Sequence, residues 1–338
     1  MMDDVKLSII NYQLHTPHFT LNMTELEQHL LAIIQDAFPL EERPYQVLAE
    51  QLGSDEQSVF AAVENLRRSG IIRRVGGVYD SKALGFISRL CAGKVSESAL
   101  ESFAAAVNEI PAITHNYVRS HEYNVWFTVI AQSEDEIQNV VDDVCARTEL
   151  HDAHVLLATK KFKINTVMGA ASAPANRIGD EKRHCEPKAK QSPALFLSAN
   201  DRARIRVACD NIPHSLTPFK DWNVSIADLR EDLALKRMRR FGAILRHQDA
   251  GFPYNAMVCF DAPAETGEIL ASKPFISHCY ERPAFKDFPY TLYAMMHAPS
   301  ATALESYIRE SVESIDNPDY VVLHSVRELK KTSFNFFA

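Results

Sequence analysis

The sequence predicts an α+β protein built from two tandem copies of one module. Two observations predict this fold class. Distinctive segments occur twice at a separation of about 165 residues, and within each copy the apolar residues change from helical to strand spacing. Because this separation is much longer than a solenoid repeat, the copies are expected to pair as a pseudo-dimer within one chain.

The duplication is visible in short segments with unusual residue combinations. The second member of each pair repeats the first with few changes, so both copies are expected to share one fold. The pairs are 73–77 (RRVGG) with 239–243 (RRFGA), 85–86 with 251–252 (GF), 115–119 (HNYVR) with 278–282 (HCYER), 123–126 (YNVW) with 290–293 (YTLY), and 160–161 with 330–331 (KK).

The domain boundaries follow from changes in periodicity and composition. Each copy begins with helix-spaced apolar residues and continues in the order βαββαβ, which is typical of a ferredoxin-like domain. The predicted units are an N-terminal arm (1–22), a first helix-turn-helix (23–80), a first ferredoxin-like domain (81–169), a polar linker (170–195), a degraded second helix-turn-helix (196–242) and a second ferredoxin-like domain (243–338).

The first copy predicts three helices before its strands begin. Helical spacing indicates a helix over 24–37, and Pro44 suits the first turn of a second helix, which Gly53 ends. Ser54 is expected to cap a third helix, with Gln57 as its capping-box partner. Three short helices followed by a strand predict a winged helix-turn-helix.

The second helix-turn-helix is expected to be degraded, because the stretch 219–238 is about eight residues shorter than its counterpart. The ferredoxin-like segments are predicted to be intact in both copies. The last strand of the first copy is expected over 153–167, and that of the second copy over 320–327.

Composition and charge exclude several classes of protein. The six cysteines form no Cys-x-x-Cys pair, which argues against a disulfide framework or a structural zinc site. No apolar run reaches transmembrane length and no signal-peptide pattern is present, so a cytoplasmic protein without membrane contact is expected. The net charge of −8, and acidic Asp55 and Glu56 at the start of the recognition helix, argue against nucleic acid as a partner.

One strand in each copy carries polar residues suited to an acidic organic ligand. His115, Tyr117 and Arg119 alternate along the first, so their side chains share one face. Arginine binds carboxylates in a bidentate manner, tyrosine donates a hydrogen bond, and histidine transfers protons near neutral pH. The second copy repeats the row as His278, Tyr280 and Arg282.

The neighbouring strand and the wing add further candidates. Trp126 in the first copy and Tyr293 and His297 in the second lie on this strand, where an imidazole among apolar residues needs a polar partner. The clearest asymmetry is Arg246-His247, because the first copy has Asp80-Ser81 at that position. This divergence favours a site whose cationic, imidazole-bearing wall comes chiefly from the second copy.

Taken together, these segments resemble the siroheme decarboxylase family, whose subunits follow the plan of the Lrp/AsnC regulators. The first copy is similar to one subunit type and the second to the other, as if the two were fused. The matching stretches are 73–79, 85–86, 115–119 and 123–127 in the first copy, and 240–247, 250–252, 255–258, 278–283 and 288–297 in the second.

The resemblance implies removal of CO₂ from two acetate side chains of siroheme, which gives 12,18-didecarboxysiroheme in a route to haem or haem d1. Since the macrocycle would delocalise the charge left behind, no cofactor beyond the substrate iron is expected. Arg246, His247 and His297 are expected to be catalytic; His247 is the first choice of proton donor, and His297 or His278 the second. The substrate would be bound by His115, Tyr117, Arg119, Trp126, His278, Tyr280, Arg282, Tyr290 and Tyr293.

Several alternatives stay open from the sequence. His247 or His278 is an axial ligand of the substrate iron if it does not transfer a proton, and no metal-binding motif of the protein itself is present. A ligand-sensing regulator of the Lrp/AsnC type and a non-catalytic tetrapyrrole chaperone would use the same fold. One or both pockets could be active, and the fused chain could form a further homodimer.

Overall fold

The computed structural model describes residues 23–164, 197–222, 224–246 and 252–337. The helices are α1 Glu25–Ile34, α2 Pro44–Leu52, α3 Glu56–Arg68, α4 Leu100–Asn108, α5 Glu134–Arg147, α6 Ala199–Ala208, α7 Pro218–Trp222, α8 Ile226–Ala234, α9 Gly267–Ser272 and α10 Ala301–Glu313. The strands are β1 Ile72–Tyr79, β2 Ile87–Lys94, β3 Ile113–Arg119, β4 Val125–Ala131, β5 His151–Leu156, β6 Lys160–Ile164, β7 Met238–Leu245, β8 Tyr254–Phe260, β9 Ile276–Glu281, β10 Leu292–Ala298 and β11 Tyr320–Lys331. The predicted arm (1–22) and the whole predicted linker (170–195) lie outside the described residues.

Capping residues set the ends of the first three helices. Thr24 caps α1 in a reciprocal capping box, and Gly53 ends α2 in the left-handed conformation. The cap of α3 is one residue later than predicted. Asp55 instead of Ser54 accepts a hydrogen bond, from Ser58 N at 3.0 Å.

The second helix-turn-helix is shortened, as predicted, but it keeps three helices. Its middle helix α7 has five residues, and α8 has nine where α3 has thirteen. Both helix-turn-helix units pack into a single apolar core, to which Leu30 and Val63 contribute from the first copy and Leu229 and Phe241 from the second. The degraded unit therefore contributes to packing.

The wing strands of the two copies pair with each other. In the antiparallel pair of β1 with β7, Gly76 faces Gly242 at the pseudo-symmetry axis. The predicted domain boundary at residue 242 therefore falls inside β7. The Arg74 guanidinium folds back to Gly77 O at 3.2 Å, and that of Arg240 to Ala243 O at 3.1 Å, which explains the second arginine of each repeated pair.

The two ferredoxin-like domains join into one nine-stranded sheet in the order β5-β2-β4-β3-β11-β8-β10-β9-β6. Within each copy the four strands take the antiparallel order 4-1-3-2 that the βαββαβ pattern predicts. This arrangement confirms the predicted fold class.

Two strands cross between the copies, and here the sequence prediction was incomplete. The single strand expected over 153–167 is divided: β5 pairs with β2 of its own copy, whereas β6 pairs with β9 of the other. Strand β11 extends beyond 327 and pairs first with β8 and then with β3. Local periodicity cannot report such an exchange, because both partners are distant in sequence.

The two ends of the sheet are β5 and β6, which are only three residues apart, so the sheet folds back on itself. Helices α4 and α5 cover the outer face of one half and α9 and α10 that of the other. On the inner face, residues of both copies form a core between the two halves of the folded sheet, which we call the inter-sheet core. It consists of Ala92, Tyr123, Trp126, Leu156, Met257, Cys259, Phe288, Tyr293 and Leu323. Within the described part of the chain, no helix has the length and apolarity needed to cross a membrane.

Replacing Gly76 or Gly242 with alanine is expected to lower the free energy of unfolding by about 1–3 kcal/mol. The added β carbon would collide with main-chain carbonyls, of Asp210 in one variant and of Ile34 in the other. Chemical denaturation measures the loss. Gly93→Ala is the matched control, because its β carbon first meets the rotatable end of Leu150 and should cost less. Equal losses in all three variants would contradict the explanation.

Candidate active site

The first row (His115, Tyr117 and Arg119) lies on β3. The second row (His278, Tyr280 and Arg282) lies on the equivalent strand β9 and on the residue directly after it. Each histidine makes the same local contact: Nδ1 is 2.9 Å from the hydroxyl of the preceding Thr114 or Ser277. In each row the guanidinium lies over the tyrosine ring, at 5.3 and 5.1 Å from its centroid. The duplication therefore extends to side-chain geometry.

Each row arginine reaches across to the other copy. Arg119 is 6 % exposed and donates to Leu323 O at 3.0 Å and to Ser325 Oγ at 3.1 Å, whereas Arg282 donates to Leu156 O at 2.6 Å. Burial lowers the pKa of Arg119 to about 10, so it remains a cation at neutral pH. The Nε atoms of both arginines are buried without a hydrogen-bond partner. Each guanidinium thus keeps donor capacity for an anion.

The predicted aromatic residues Trp126, Tyr290 and Tyr293 lie in or against the inter-sheet core. Trp126 and Tyr293 are almost fully buried in the inter-sheet core, with ring centroids 6.4 Å apart, and Tyr290 packs on Phe288 at 4.9 Å. Trp126 Nε1 donates to Tyr123 O at 2.6 Å. Trp126 and Tyr293 are thus packed against protein, and their contact with a ligand stays a prediction.

His297 belongs to a polar line that crosses the sheet. It stands opposite Asn255 on β8, which accepts a hydrogen bond from Ser325 Oγ at 2.6 Å. Ser325 in turn accepts from Arg119. The register places His297 and Asn255 on the same face of the sheet, and the hydrogen bonds from Ser325 to Asn255 and from Arg119 to Ser325 continue from there to the first row.

Arg246 comes from the second copy but lies near Arg73 of the first. Its backbone N donates to Ile71 O at 3.0 Å, which brings it to the start of β1. Burial lowers the pKa values of Arg73 and Lys331, and the positive charge of Arg246 lowers both further. Arg73, Arg246 and Lys331 form what we call the cation cluster. His247 lies outside the described residues.

The cation cluster touches the first row through β11. Lys331 stands directly opposite His115, and Arg73 donates to Lys331 O at 3.2 Å and to Ser333 Oγ at 3.0 Å. Because opposed residues of an antiparallel pair point to the same face, the Lys331 ammonium and the His115 imidazole share the inner face. The cation cluster takes Arg73 from the first copy and both Arg246 and Lys331 from the second, so a wall supplied chiefly by the second copy stays a prediction.

The second row shares the influence of Lys331 with the first row, but its other neighbours differ. Lys161 on β6 stands opposite Tyr280, and Arg239, the counterpart of Arg73, lies close enough to influence both His278 and Tyr280. Burial, followed by the positive charges of Arg239, Lys163 and Lys331, lowers the pKa of His278 to about 4. This imidazole is therefore neutral at physiological pH.

Comparison with known proteins identifies the family. A model described as an AsnC-like ligand binding domain matches residues 83–163 and 249–330, and one described as a siroheme decarboxylase NirDL-like HTH domain matches 27–73. A siroheme decarboxylase of Hydrogenobacter thermophilus is 33% identical over 91% of this chain and 94% of its own. The chain belongs to the siroheme decarboxylase family.

Other members of the family agree with a fused pair of subunits. The siroheme decarboxylase alpha subunit of Desulfovibrio desulfuricans is 46% identical over 42% of this chain, which spans 82% of that subunit. A crystal structure of the siroheme decarboxylase NirDL in complex with an iron-uroporphyrin III analogue superimposes with a TM-score of 0.65 at 27% identity, covering 91% of this chain and 93% of that one. Somewhat less than half of this chain thus corresponds to a protein that is a separate subunit in Desulfovibrio desulfuricans.

Sequence reasoning missed Glu328, Lys331 and Arg73 as members of the site. The repeat had aligned residues 160–161 with 330–331, but strand register makes Lys163 the counterpart of Lys330. Both of these ammonium groups donate to carbonyls at the ends of helices, Lys163 to Lys273 O and Lys330 to Ile110 O. The missed residues could be found only by knowing that β11 reaches β3.

His278 is expected to stay uncharged down to about pH 5, because its pKa of about 4 lies below the ordinary 6.5. Since the folded-state pKa is depressed, the neutral ring contributes stability that is present above about pH 6.5 and is lost as the pH falls toward 4. The non-titrating variant His278→Asn should therefore show a smaller drop in Tm than the wild type between about pH 7 and about pH 4.5. Equal drops would refute this assignment.

Proposed function

We propose that this protein is a siroheme decarboxylase that removes CO₂ from two acetate side chains of siroheme to give 12,18-didecarboxysiroheme, in a route to haem or haem d1. The observation that carries the proposal is the cation cluster beside the first row, in a chain with 33% identity to a siroheme decarboxylase over 91% of its length. A polycarboxylate needs such a local excess of positive charge in a protein of net charge −8. No comparable observation supports the alternative, a ligand-sensing transcriptional regulator of the Lrp/AsnC type.

The reaction breaks the bond between the acetate methylene and its carboxylate. The electron pair of that bond stays on the methylene carbon, where the macrocycle delocalises it, and one proton then converts the methylene to a methyl group. Carboxylates that do not react would be held by Arg73, Arg246 and Lys331, and exclusion of water from the reacting carboxylate would favour its departure as CO₂. No cofactor beyond the substrate iron enters this scheme.

The histidines divide into two roles. A proton donor must be protonated near neutral pH, and the pKa of about 4 makes His278 unsuited to this task. A neutral imidazole is instead the form that ligates iron, so His278 is the stronger choice of axial ligand. His247 remains the first choice of proton donor, with His297 the second because the polar line through Asn255 and Ser325 reaches it.

The partners follow from the same features. The two copies supply both halves of the pseudo-dimer, so a second chain is not needed to build the site. We expect no nucleic acid partner, since Asp55 and Glu56 at the start of α3 are acidic and the counterpart helix α8 is short. We also expect the enzyme to work in the cytoplasm.

His247→Ala is expected to lower turnover about a hundredfold or more while siroheme still binds, because loss of a general acid slows the chemical step without removing carboxylate contacts. Anaerobic incubation with siroheme, followed by product mass, measures turnover, and the absorption spectrum measures binding. The adjacent Gln248→Ala is the control and should keep turnover near that of the wild type. Turnover like that of the wild type in His247→Ala would remove His247 from the mechanism.

Arg246→Ala and Lys331→Met are each expected to weaken siroheme binding about tenfold or more, because a charge-assisted hydrogen bond contributes about 1.5–3 kcal/mol. Lys161→Met is the matched control, since Lys161 faces the second row as the cation cluster faces the first. Spectroscopic titration gives the three Kd values. A larger effect of Lys161→Met would mean that the second row, instead of the first, holds the substrate.

A further inference from the structure

The chain that follows β11, residues 332–337, is what we call the C-terminal segment. It begins beside the first row, because Thr332 N donates a hydrogen bond to Thr114 O at 2.8 Å. The hydroxyl of Thr114 lies 2.9 Å from His115 Nδ1. The start of the segment is therefore fixed to the strand that carries the first row.

The other end of the segment is buried among the helices. Phe336 is 5 % exposed and belongs to the apolar core that the two helix-turn-helix units share. Its ring centroid is 5.2 Å from that of Phe86, and Phe334 and Phe337 pack on the same ring at 5.4 Å each. The Arg202 guanidinium of the second copy lies over the Phe337 ring, 5.4 Å from its centroid. The segment is thus held at both ends.

Ser333 lies between these two ends, and its hydroxyl oxygen accepts hydrogen bonds from two arginines. The donors are Arg73 Nη2 and Arg74 Nε, both at 3.0 Å. A hydroxyl oxygen has two lone pairs, so the two bonds use its full acceptor capacity. Arg73 Nη1 also donates to Lys331 O at 3.2 Å. Because both terminal nitrogens of Arg73 are bound, the plane of its guanidinium is fixed.

The counterpart of Arg73 in the second copy is held less closely. Arg239 takes that place in the repeat, and its Nη2 donates to Tyr79 O at 3.4 Å. Among the described contacts, Arg73 therefore has the shorter hydrogen bonds of the two. Arg73 is also the one that lies near Tyr117 of the first row and near Arg246. The better-held arginine is thus the one in the cation cluster.

Fixing a guanidinium in advance favours binding of an anion. An arginine side chain that rotates freely loses rotamer entropy when it binds a ligand, whereas one that is already held loses much less. A guanidinium has five N–H groups, so the bonds of Arg73 to Ser333 and Lys331 leave further donors for a carboxylate. Arg73 is therefore both oriented and able to bind.

We propose that Ser333 is a positioning residue, through which the C-terminal segment holds the Arg73 guanidinium in the orientation that binds a substrate carboxylate. Ser333 acts through Arg73 and does not itself contact the substrate. Since Phe336 fixes the segment in the helical core, the helix-turn-helix units contribute to substrate affinity by this route. This inference rests on the proposed function and deepens it.

Spectroscopic titration of the full chain with iron-uroporphyrin III tests the proposal. Ser333→Ala should raise the Kd about three- to tenfold, because Arg73 loses one of the two bonds that orient it, and Ser333→Thr, which keeps the hydroxyl, should restore it. With siroheme, KM should rise in the same proportion while kcat stays near that of the wild type. Asn335→Ala is the matched control, since this exposed residue of the same segment should change neither.

A double-mutant cycle shows whether the effect passes through Arg73. Ser333→Ala should cause no further rise in Kd when Arg73→Met is already present, but the full rise when Arg246→Ala is present instead. If Ser333→Ala lowers the Tm, the same cycle still separates lost positioning from lost stability. An unchanged Kd in Ser333→Ala, or an equal rise in both backgrounds, overturns the inference alone. Absence of any binding to the wild type overturns the proposed function together with it.

Discussion

The site depends on the pairing of one long strand with both halves of the molecule. Strand β11 forms a ladder with β8 at its beginning and with β3 at its end. Since backbone hydrogen bonds fix the register of a strand to the residue, this exchange sets Lys331 against His115 and Glu328 against Tyr117. Without the exchange neither Glu328 nor Lys331 would lie opposite the first row.

Burial of positive charge is the second constraint. Arg119 and Arg282 lie between the sheets, where hydrogen bonds to main-chain carbonyls of the opposite copy compensate part of the desolvation cost. Arg73 is held by Lys331 O and Ser333 Oγ, so its guanidinium is already oriented before a ligand arrives. Preorganised donors of this kind lose little conformational entropy on binding, which suits recognition of a rigid macrocycle with several carboxylates.

Duplication explains how these features became asymmetric. A homodimer must carry the same residue at both positions related by its symmetry axis, whereas a fused pair is free to differ. Here Arg246 corresponds to Asp80, and Glu328 faces the first row where Lys161 faces the second. The wing pair around Gly76 and Gly242 still keeps the symmetric contact, because main-chain packing there leaves no room for a side chain. The contact at the symmetry axis is thus the same in both copies, whereas the residues that face the two rows have diverged.

The sequence by itself determined the module, its duplication and the two rows. Strand periodicity put His115, Tyr117 and Arg119 on one face, and helix caps and glycines located α1, α2 and α3 to within a few residues. These are local properties, set by backbone geometry and by the spacing of apolar residues. The family resemblance was likewise visible in short segments.

Only the tertiary structure decided which residues meet. It brought Arg246 of the second copy to Arg73 of the first, placed Glu328 beside the cation cluster and buried Trp126 in the inter-sheet core. Each of these outcomes follows from a pairing between strands that are far apart in the chain. Periodicity reports the face on which a side chain lies but carries no information about the strand that comes to lie beside it.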